Sequence, residues 1–368
     1  RAGTSFGGRV EVGEGDRESL YLTHKTNDSS FSISLSNAYD KGFDFSGDGG
    51  EKDSTSWESL ASKASTKLTN DLEVGYSLRV ADSGYDFDGE TFLSGDKETT
   101  REKYVSDDTT KFEKLLERSG STFIEHQSFD ASVTHRIQAD ITSNQTSNSG
   151  ISDQKTEIFK YRGQLALDGA PSDSSDQLVS LLLETKTDSA GSSNQERDND
   201  SIAVEYRGQV TNDFTVQSGA RLDTSNSFAD AVTWNLASSY YVQPGVRLKA
   251  SVGRAVVYPS FFNIYGAEFE GVTKDSVYRP ANNIEPEENF GFDVGGELSL
   301  LKGSAFIALT YFNETLSNEI YTREIEEDET SDTVFFIGDN RVQDSDRQGV
   351  ELLGELALSQ QFDVGASY

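Results

Sequence analysis

The sequence lacks cysteine and methionine altogether, and its 368 residues include only three histidines. Without cysteine there are no disulfide bonds, thiolate metal sites or cysteine nucleophiles. His24, His126 and His135 are scattered and have no second ligand at metal-binding spacing, and no nucleophile motif accompanies them, so we expect neither a histidine metal site nor an enzyme. Because no initiator methionine or signal peptide is present, we expect the sequence to be a piece of a longer protein.

Basic residues are also scarce. The chain has 32 Lys and Arg against 63 Asp and Glu, which gives a formal net charge of -31. A polyanion would be repelled by such a surface, so nucleic acid is excluded as a partner.

Long hydrophobic runs are the third absence. No stretch approaches the ~18 consecutive apolar residues of a membrane helix. A membrane-spanning β-barrel is not excluded, because only every second residue of its strands faces lipid.

Alternation of apolar and polar residues recurs along the whole chain instead. Leu72, Val74, Tyr76, Leu78 and Val80 alternate with polar residues or glycine. The same pattern returns in segments 31–36, 159–167, 202–210 and 246–252. Strands with one apolar and one charged face predict an antiparallel sheet that is wet on one side.

The connections between these strands are of two alternating kinds. Short turns are predicted at 26–28, 69–71, 168–170, 211–213, 243–245, 302–303 and 359–361, with a further one near His135-Arg136. Long polar segments are predicted at 44–56, 82–118, 143–156, 186–199, 259–289 and 317–347. This pattern gives about seventeen strands.

Short turns at one end and long loops at the other are typical of outer-membrane barrels. Aromatic residues near strand ends, such as Tyr39, Phe43, Tyr240 and Tyr258, suit the boundary between lipid and water. The alternative is that they are ordinary aromatics of a soluble core. We predict an all-β, transmembrane antiparallel barrel.

Four passages in the second half of the chain carry a family resemblance. They are Val257–Gly266, the run Asn282-Asn283-Ile284-Glu285-Pro286-Glu287, the segment Tyr311–Ile320, and Gly349-Val350-Glu351 preceded by Gly338-Asp339-Asn340. In this order they resemble the later barrel strands of TonB-dependent receptors of the cobalamin and siderophore type. Within the signature, Asn282, Asn283, Pro286 and Glu287 match except that one family proline is missing.

The resemblance implies that residues 1–368 form about seventeen strands of a barrel of about 22, without its plug domain and last strands. It implies a receptor in the outer membrane of a Gram-negative bacterium, surrounded by lipid and lipopolysaccharide. Its further partners would be its own plug domain, TonB, and a metal chelate or cobalamin. The implied function is energised uptake of a large, scarce nutrient such as a ferric siderophore or cobalamin.

Aromatic residues are the ligand-binding candidates. Phe261, Phe262 and Tyr265 follow the proline of the long loop after Tyr258, and large chelates need broad apolar contact. The alternative is that these rings only pack the loop. On the polar face, Arg79, Arg162, Arg207 and Arg247 are expected to contact a plug or water.

Acidic residues are the metal-binding candidates. Asp82, Asp86, Asp88 and Glu90 lie close together in sequence, and Ca²⁺ prefers oxygen-rich loops; the resemblance to cobalamin-type receptors also implies calcium. Two alternatives remain open: a solvated acidic surface, or carboxylates bridged by divalent cations to lipopolysaccharide phosphates.

Two other functions also remain open. A passive porin-like channel needs the same alternation but no plug. A secreted acidic β-protein or adhesin would lack the asymmetry between short turns and long loops.

Overall fold

The computed structural model describes residues 2–45, 47, 49–90, 105–106, 111–147, 153–191, 195–269, 275–281, 283–328 and 333–368. These residues form one sheet of 17 strands, a four-stranded sheet and a two-stranded sheet, with almost no helix. No helix in these ranges is long and apolar enough to cross a membrane.

The strands of the large sheet have the following bounds. They are β1 (Gly3–Val12), β2 (Gly15–Lys25), β3 (Ser29–Asp40), β4 (Thr55–Lys67), β5 (Leu72–Asp86), β8 (Phe112–Ser128), β9 (Val133–Thr146), β10 (Asp153–Ala166), β11 (Gln177–Ala190), β12 (Gln195–Thr211), β13 (Phe214–Ser225), β14 (Ala231–Gln243), β15 (Val246–Val257), β18 (Glu287–Leu300), β19 (Ala305–Ser317), β22 (Ser345–Ser359) and β23 (Phe362–Ser367). The other elements are β6 (Gly89–Glu90), β7 (Val105–Ser106), helix α1 (Phe261–Tyr265), β16 (Ala267–Phe269), β17 (Asp275–Arg279), a 3₁₀ turn (Leu301–Gly303), β20 (Ile320–Asp328) and β21 (Thr333–Asn340).

The large sheet is an antiparallel meander. Each strand pairs with the next, and where loop strands intervene, β5 pairs with β8, β15 with β18 and β19 with β22. The predicted number of about seventeen strands is confirmed. Because this number is odd, β1 and β23 run in the same direction, and no pairing joins them within the described residues.

The two faces of the sheet differ as the alternation predicted. On one face apolar side chains are exposed, such as Leu78 at 56% and Val204 at 50%. The opposite face, called the polar face from here on, carries ion pairs between neighbouring strands. Examples are Arg79 with Glu117 (3.3 Å), Lys160 with Asp140 (2.7 Å) and Arg247 with Glu297 (3.4 Å), whereas Arg221 of β13 reaches across β12 to Glu184 of β11 (2.9 Å).

Two of the arginines expected to contact a plug or water also have partners within the wall. Arg79 and Arg247 each pair with a carboxylate of the neighbouring strand, because cross-strand neighbours on one face lie close together. Contact with a plug or water stays a prediction for Arg79, Arg162, Arg207 and Arg247.

Most connections separate into a short-turn end and a long-loop end, as predicted, but residues 167–176 form a ten-residue connection at the short-turn end, and residues 13–14 and 226–230 form short connections at the long-loop end. The turn predicted near His135-Arg136 is wrong, since both residues lie inside β9. The chain turns instead at Phe129, Asp130 and Ala131, which all have positive φ. Neither glycine nor asparagine occurs at this turn, and Asp130 is the one residue of a usual turn-forming type among these three.

The strands also run further toward the long loops than predicted. In the segment 186–199, predicted as a loop, β11 extends to Ala190 and β12 begins at Gln195. On the outer face, Thr187 donates a hydrogen bond to Asp198 (2.7 Å), and Thr185 donates one to Asp200 (2.7 Å). Polar pairs replace apolar ones at these strand ends, and therefore the alternation lapses while the pairing continues.

Two long loops form one structure at the long-loop end. The loop between β15 and β18 contributes α1, β16 and β17, and the loop between β19 and β22 contributes β20 and β21. Parallel pairing of β17 with β21 joins them into the four-stranded sheet, called the loop sheet from here on. Helix α1 begins with a capping box, in which Ser260 and Asn263 bond each other's backbone N–H groups.

Candidate functional site

The segment after β15 crosses the polar face of the large sheet. It comprises Tyr258, Pro259, Ser260 and Phe261, and we call it the strap. Its Pro259 is fully buried, and the Pro259 carbonyl oxygen accepts a hydrogen bond of 2.9 Å from Nη1 of Arg197. Because Arg197 belongs to β12 and the strap leaves β15, the strap spans the wall between these strands at the long-loop end.

Arg197 is the anchor of the strap. Its Nη2 lies 3.3 Å from Asp188, and its guanidinium carbon lies 5.7 Å and 5.3 Å from the ring centres of Tyr258 and Phe261. Asp188 also forms an ion pair with Lys186 (2.8 Å) and accepts a hydrogen bond from the Thr156 hydroxyl (2.7 Å). The planar guanidinium therefore bonds a carbonyl and a carboxylate while it contacts two aromatic rings, a combination that lysine cannot provide.

A second polar cluster lies beside the strap. Arg221 contacts Glu184 (2.9 Å), Asp223 (2.8 Å) and the Ser201 hydroxyl (2.7 Å). Burial raises the pKa of the Tyr258 hydroxyl, and the Asp223 carboxylate raises that pKa further. The phenol is therefore a neutral hydroxyl group, able to donate a hydrogen bond.

The three aromatic candidates lie together on α1, but their surroundings differ. Phe262 packs against Tyr278 of the loop sheet with ring centres 4.8 Å apart, as the packing alternative predicted. Phe261 and Tyr265 stack at 5.8 Å, and Tyr265 is 37% exposed. Ligand contact by Phe261, Phe262 and Tyr265 stays a prediction.

The described acidic candidates do not lie together in one metal site. Asp82 and Asp86 lie four residues apart on one face of β5, ~13 Å at ~3.3 Å per residue, too far to bind one ion. Asp86 accepts a hydrogen bond of 2.6 Å from Ser54. In the ranges that the structure describes, no three side chains are grouped to hold a metal. The Glu90 side chain lies outside these ranges, so calcium binding in this loop, with Asp88, stays a prediction.

The signature residues meet in space although they are distant in sequence. The Asn340 side chain bonds the backbone N–H (2.7 Å) and carbonyl (3.0 Å) of Glu285, and it donates to the Asn318 carbonyl (2.7 Å). Glu287 accepts a bond of 2.7 Å from the Ile320 N–H. Asn283 and Pro286 belong to the same passage, while Asn282 lies outside the described residues. The signature therefore ties the two long loops together below the loop sheet.

Gly349, Val350 and Glu351 lie inside β22, where Gly349 packs under an aromatic ring. The Phe312 ring of β19 covers Gly349 so closely that a Cβ there would lie 2.8 Å from it. Val350 faces outward and is 53% exposed, whereas Glu351 lies on the polar face. Position 349 therefore requires glycine, because the Phe312 ring leaves no space for a Cβ atom.

Sequence reasoning missed Arg197, because it lies in the segment 186–199 predicted as a loop. One signal was present: Arg197, Asn199 and Ser201 occupy alternate positions and so share a face. Its contact with Pro259, 62 residues away, has no local signal.

The chain is similar to a known protein family and to several solved structures. Residues 6–368 match the family described as TonB dependent receptor-like, beta-barrel. The siderophore receptor PirA from Pseudomonas aeruginosa is similar, with 16% identity and a TM-score of 0.71 over 99% of this chain and 64% of that one. A mutant of the ferric enterobactin receptor PfeA from Pseudomonas aeruginosa has 14% identity and a TM-score of 0.72 over 99% and 60%.

A further similar structure is a double mutant of the Serratia marcescens hemophore receptor HasR in complex with its hemophore HasA and heme. It has 11% identity and a TM-score of 0.66, over 97% of this chain and 61% of that one. The chain spans less than two thirds of the length of these structures. A search of curated proteins gives no significant match.

The family match confirms the predicted all-β barrel class, with its polar face toward the lumen and its apolar face toward lipid. It also confirms the predicted location in the outer membrane of a Gram-negative bacterium. Members of this family are receptors that transport, and the expectation that the chain is not an enzyme agrees with this. The chain belongs to the β-barrel family of TonB-dependent receptors.

Proposed function

We propose that the full-length protein is an energised receptor that captures a metal chelate at the long-loop end and passes it through the barrel. The observation that carries the proposal is the strap, which Arg197 holds across the lumen wall with Phe261 next to it. Aromatic rings beside a few fixed polar groups are the usual composition of a site for a large ligand. The site lies where a solute entering between the long loops meets the wall.

The relatives support a metal chelate as the ligand. Their names record a siderophore receptor, a ferric enterobactin receptor and a hemophore receptor with heme. Cobalamin uptake stays a prediction that rests on the sequence resemblance alone.

The proposal includes a plug domain and TonB as partners. A barrel of about 22 strands encloses a lumen far wider than side chains fill, so without a plug it would leak solutes. A chelate bound tightly enough for capture at low concentration also dissociates slowly, and its release then requires energy.

Growth under iron limitation tests this function. A strain deleted for the gene should lose growth on the transported chelate, and the full-length gene should restore it only while the proton-motive force is intact. The purified full-length protein should show no steady ion conductance in planar bilayers. Steady conductance together with growth that is indifferent to deletion would replace this proposal with the passive channel.

A further inference from the structure

The three histidines of the chain share one location in the fold. His24 lies one residue before the end of β2, His126 two residues before the end of β8, and His135 two residues after the start of β9. All three therefore lie at the short-turn end. In the strand register they share the outward, apolar face with side chains such as Leu22 and Ile124. Polar rings thus stand on the lipid-facing side of the wall, close to where the strands leave the membrane.

Two of these histidines form one group with a tyrosine. His126 and His135 lie directly opposite each other on β8 and β9, and their rings stack with centres 6.3 Å apart. Nδ1 of His135 lies 2.7 Å from the hydroxyl oxygen of Tyr161 on β10. Gly163 lies opposite His135, and a Cβ atom on Gly163 would be 2.8 Å from that hydroxyl, so glycine leaves the space that Tyr161 needs. We call His126, His135 and Tyr161 the outer histidine cluster.

The outer histidine cluster presents hydrogen-bond donors toward the lipid. If the Tyr161 hydroxyl donates to Nδ1 of His135, the neutral ring carries its hydrogen on Nε2; if Nδ1 donates, the hydroxyl hydrogen is free. One donor is therefore left over in either tautomer, and the ring of His126 adds an N–H group. A donor at the edge of the hydrocarbon costs free energy unless it finds an acceptor, so the cluster calls for an acceptor from the membrane.

The charges around the cluster select the kind of ligand. The neighbouring outward positions on β5, β8, β9 and β10 hold Leu72, Ile124, Ile137 and Gly163. None of these is a carboxylate, and Glu125 next to His126 lies on the opposite, polar face, where it pairs with Arg136. A metal ion would thus find two imidazoles and no carboxylate, and a cationic headgroup would find no partner. An anionic oxygen acceptor such as a phosphate fits the donors.

We propose that the outer histidine cluster binds the phosphate of an anionic phospholipid in the periplasmic leaflet. Short turns of outer-membrane barrels face the periplasm, so the cluster lies at the depth of the headgroups of that leaflet. The acyl chains of the same lipid lie against exposed apolar side chains further along the strands, such as Ile124 and Ile137, which are 52% and 47% exposed. This inference goes beyond the proposed function, because it concerns the outer wall of the barrel and not its lumen.

The test is native mass spectrometry of the full-length receptor in detergent, titrated with dioleoyl phosphatidylglycerol. We expect this lipid to bind at least about tenfold more tightly than dioleoyl phosphatidylcholine, whose headgroup cation has no partner at the cluster. Inorganic phosphate in excess should not displace the lipid, because it lacks the acyl chains that contact the outer wall. Displacement by phosphate would mean that the cluster takes a soluble anion and would overturn the assignment to a lipid.

Leucine in place of each histidine locates the site. His126→Leu and His135→Leu remove donors and leave an apolar outer face, so phosphatidylglycerol should bind each variant about fivefold to tenfold more weakly. Tyr161→Phe removes only the hydroxyl that contacts His135 and should weaken binding about threefold. His24→Leu is the matched control, since His24 lies on the same face and end but opposite Thr4 and Phe31. This control should bind the lipid like the parent.

Binding of phosphatidylcholine, measured on the same samples, shows whether a variant is folded, because it should be equal in all of them. Unchanged phosphatidylglycerol binding in His126→Leu, His135→Leu and Tyr161→Phe would overturn the inference. An equal loss in His24→Leu would also overturn it, because the effect would then belong to any outward histidine. Neither result would affect the proposed uptake function, which is measured by growth and not by lipid binding.

Discussion

Replacing Arg197 with methionine should release the strap while the barrel stays folded. Methionine keeps a long apolar stem but provides no donor for the Pro259 carbonyl, whose residue is fully buried. Asp188 is not left unpaired, because Lys186 and Thr156 still contact it at 2.8 Å and 2.7 Å. The loss is therefore confined to the strap and does not leave an isolated buried charge.

The magnitude follows from the contacts that Arg197 makes. An unsatisfied buried carbonyl costs about 1–3 kcal/mol, and each lost contact with the rings of Tyr258 and Phe261 costs ~0.5–1 kcal/mol. The strap should thus be destabilised by roughly 2–4 kcal/mol, taking account of incomplete additivity. Each ~1.4 kcal/mol changes a local opening constant tenfold, so opening should increase about 30-fold to several hundredfold.

Hydrogen exchange of the full-length receptor measures this opening. The amides to follow are Ile264, Gly266 and Ala281, which bond Ser260, Phe262 and Ile264 and so report on α1 and its attachment. Arg136→Met is the matched control. Arg136 of β9 also pairs with a carboxylate, Glu125 of β8, and its guanidinium carbon lies 3.7 Å from the centre of the Phe123 ring. Exchange at these amides within about threefold of the parent would refute the anchoring role of Arg197.

Three further predictions concern the rest of the chain. Asn340→Ala should raise hydrogen exchange in β20 at least about tenfold, because it removes two bonds to Glu285 of the other long loop and one to Asn318 within its own loop, each worth about 0.5–1.5 kcal/mol; unchanged exchange would exclude this tie. The pKa of Asp168 is lowered chiefly by the backbone N–H of Asp176, so this carboxylate stabilises its turn above the ordinary carboxyl pKa of about 4, and the stabilisation is lost as pH falls through the lowered pKa. Exchange in the turn should therefore rise at acid pH in the parent but not in Asp168→Asn, and equal acid sensitivity of both would contradict this. Leu78→Arg, on the lipid face, should reduce the free energy of unfolding in vesicles by ~2–4 kcal/mol. Ser77→Arg, on the polar face, should reduce it less, and denaturant titration of the two variants measures the difference.

The strands and their faces were predictable because the signal is local. Alternation between apolar and polar residues, as from Leu72 to Val80, is a direct consequence of strand geometry. It failed where outer-face pairs become polar, as with Thr187 and Asp198, because hydrogen bonds there replace apolar contact. It also failed at the turn after Ser128, where three non-glycine residues adopt positive φ.

The candidate site was predictable only in part. The aromatic run on α1 stands out in sequence, and two of its three rings, Phe261 and Tyr265, stack on each other. The different packing of Phe262 could not be predicted from the sequence. Phe262 packs against Tyr278 of β17, and the position of β17 depends on its parallel pairing with β21. The strap contact of Arg197 was hidden for a similar reason, since Pro259 lies 62 residues away, although its other partner, Asp188, lies opposite it in the hairpin of β11 and β12.

The most direct test of the central claim is the initial rate at which cells take up the radiolabelled ferric chelate that supports gene-dependent growth. The deletion strain would carry the full-length gene, the Arg197→Met variant or an empty vector, each with and without a protonophore. We predict saturable uptake that requires the gene, stops with the protonophore, and needs more chelate for half-saturation in the variant. Uptake that persists with the protonophore, or that is equal with and without the gene, would contradict the claim.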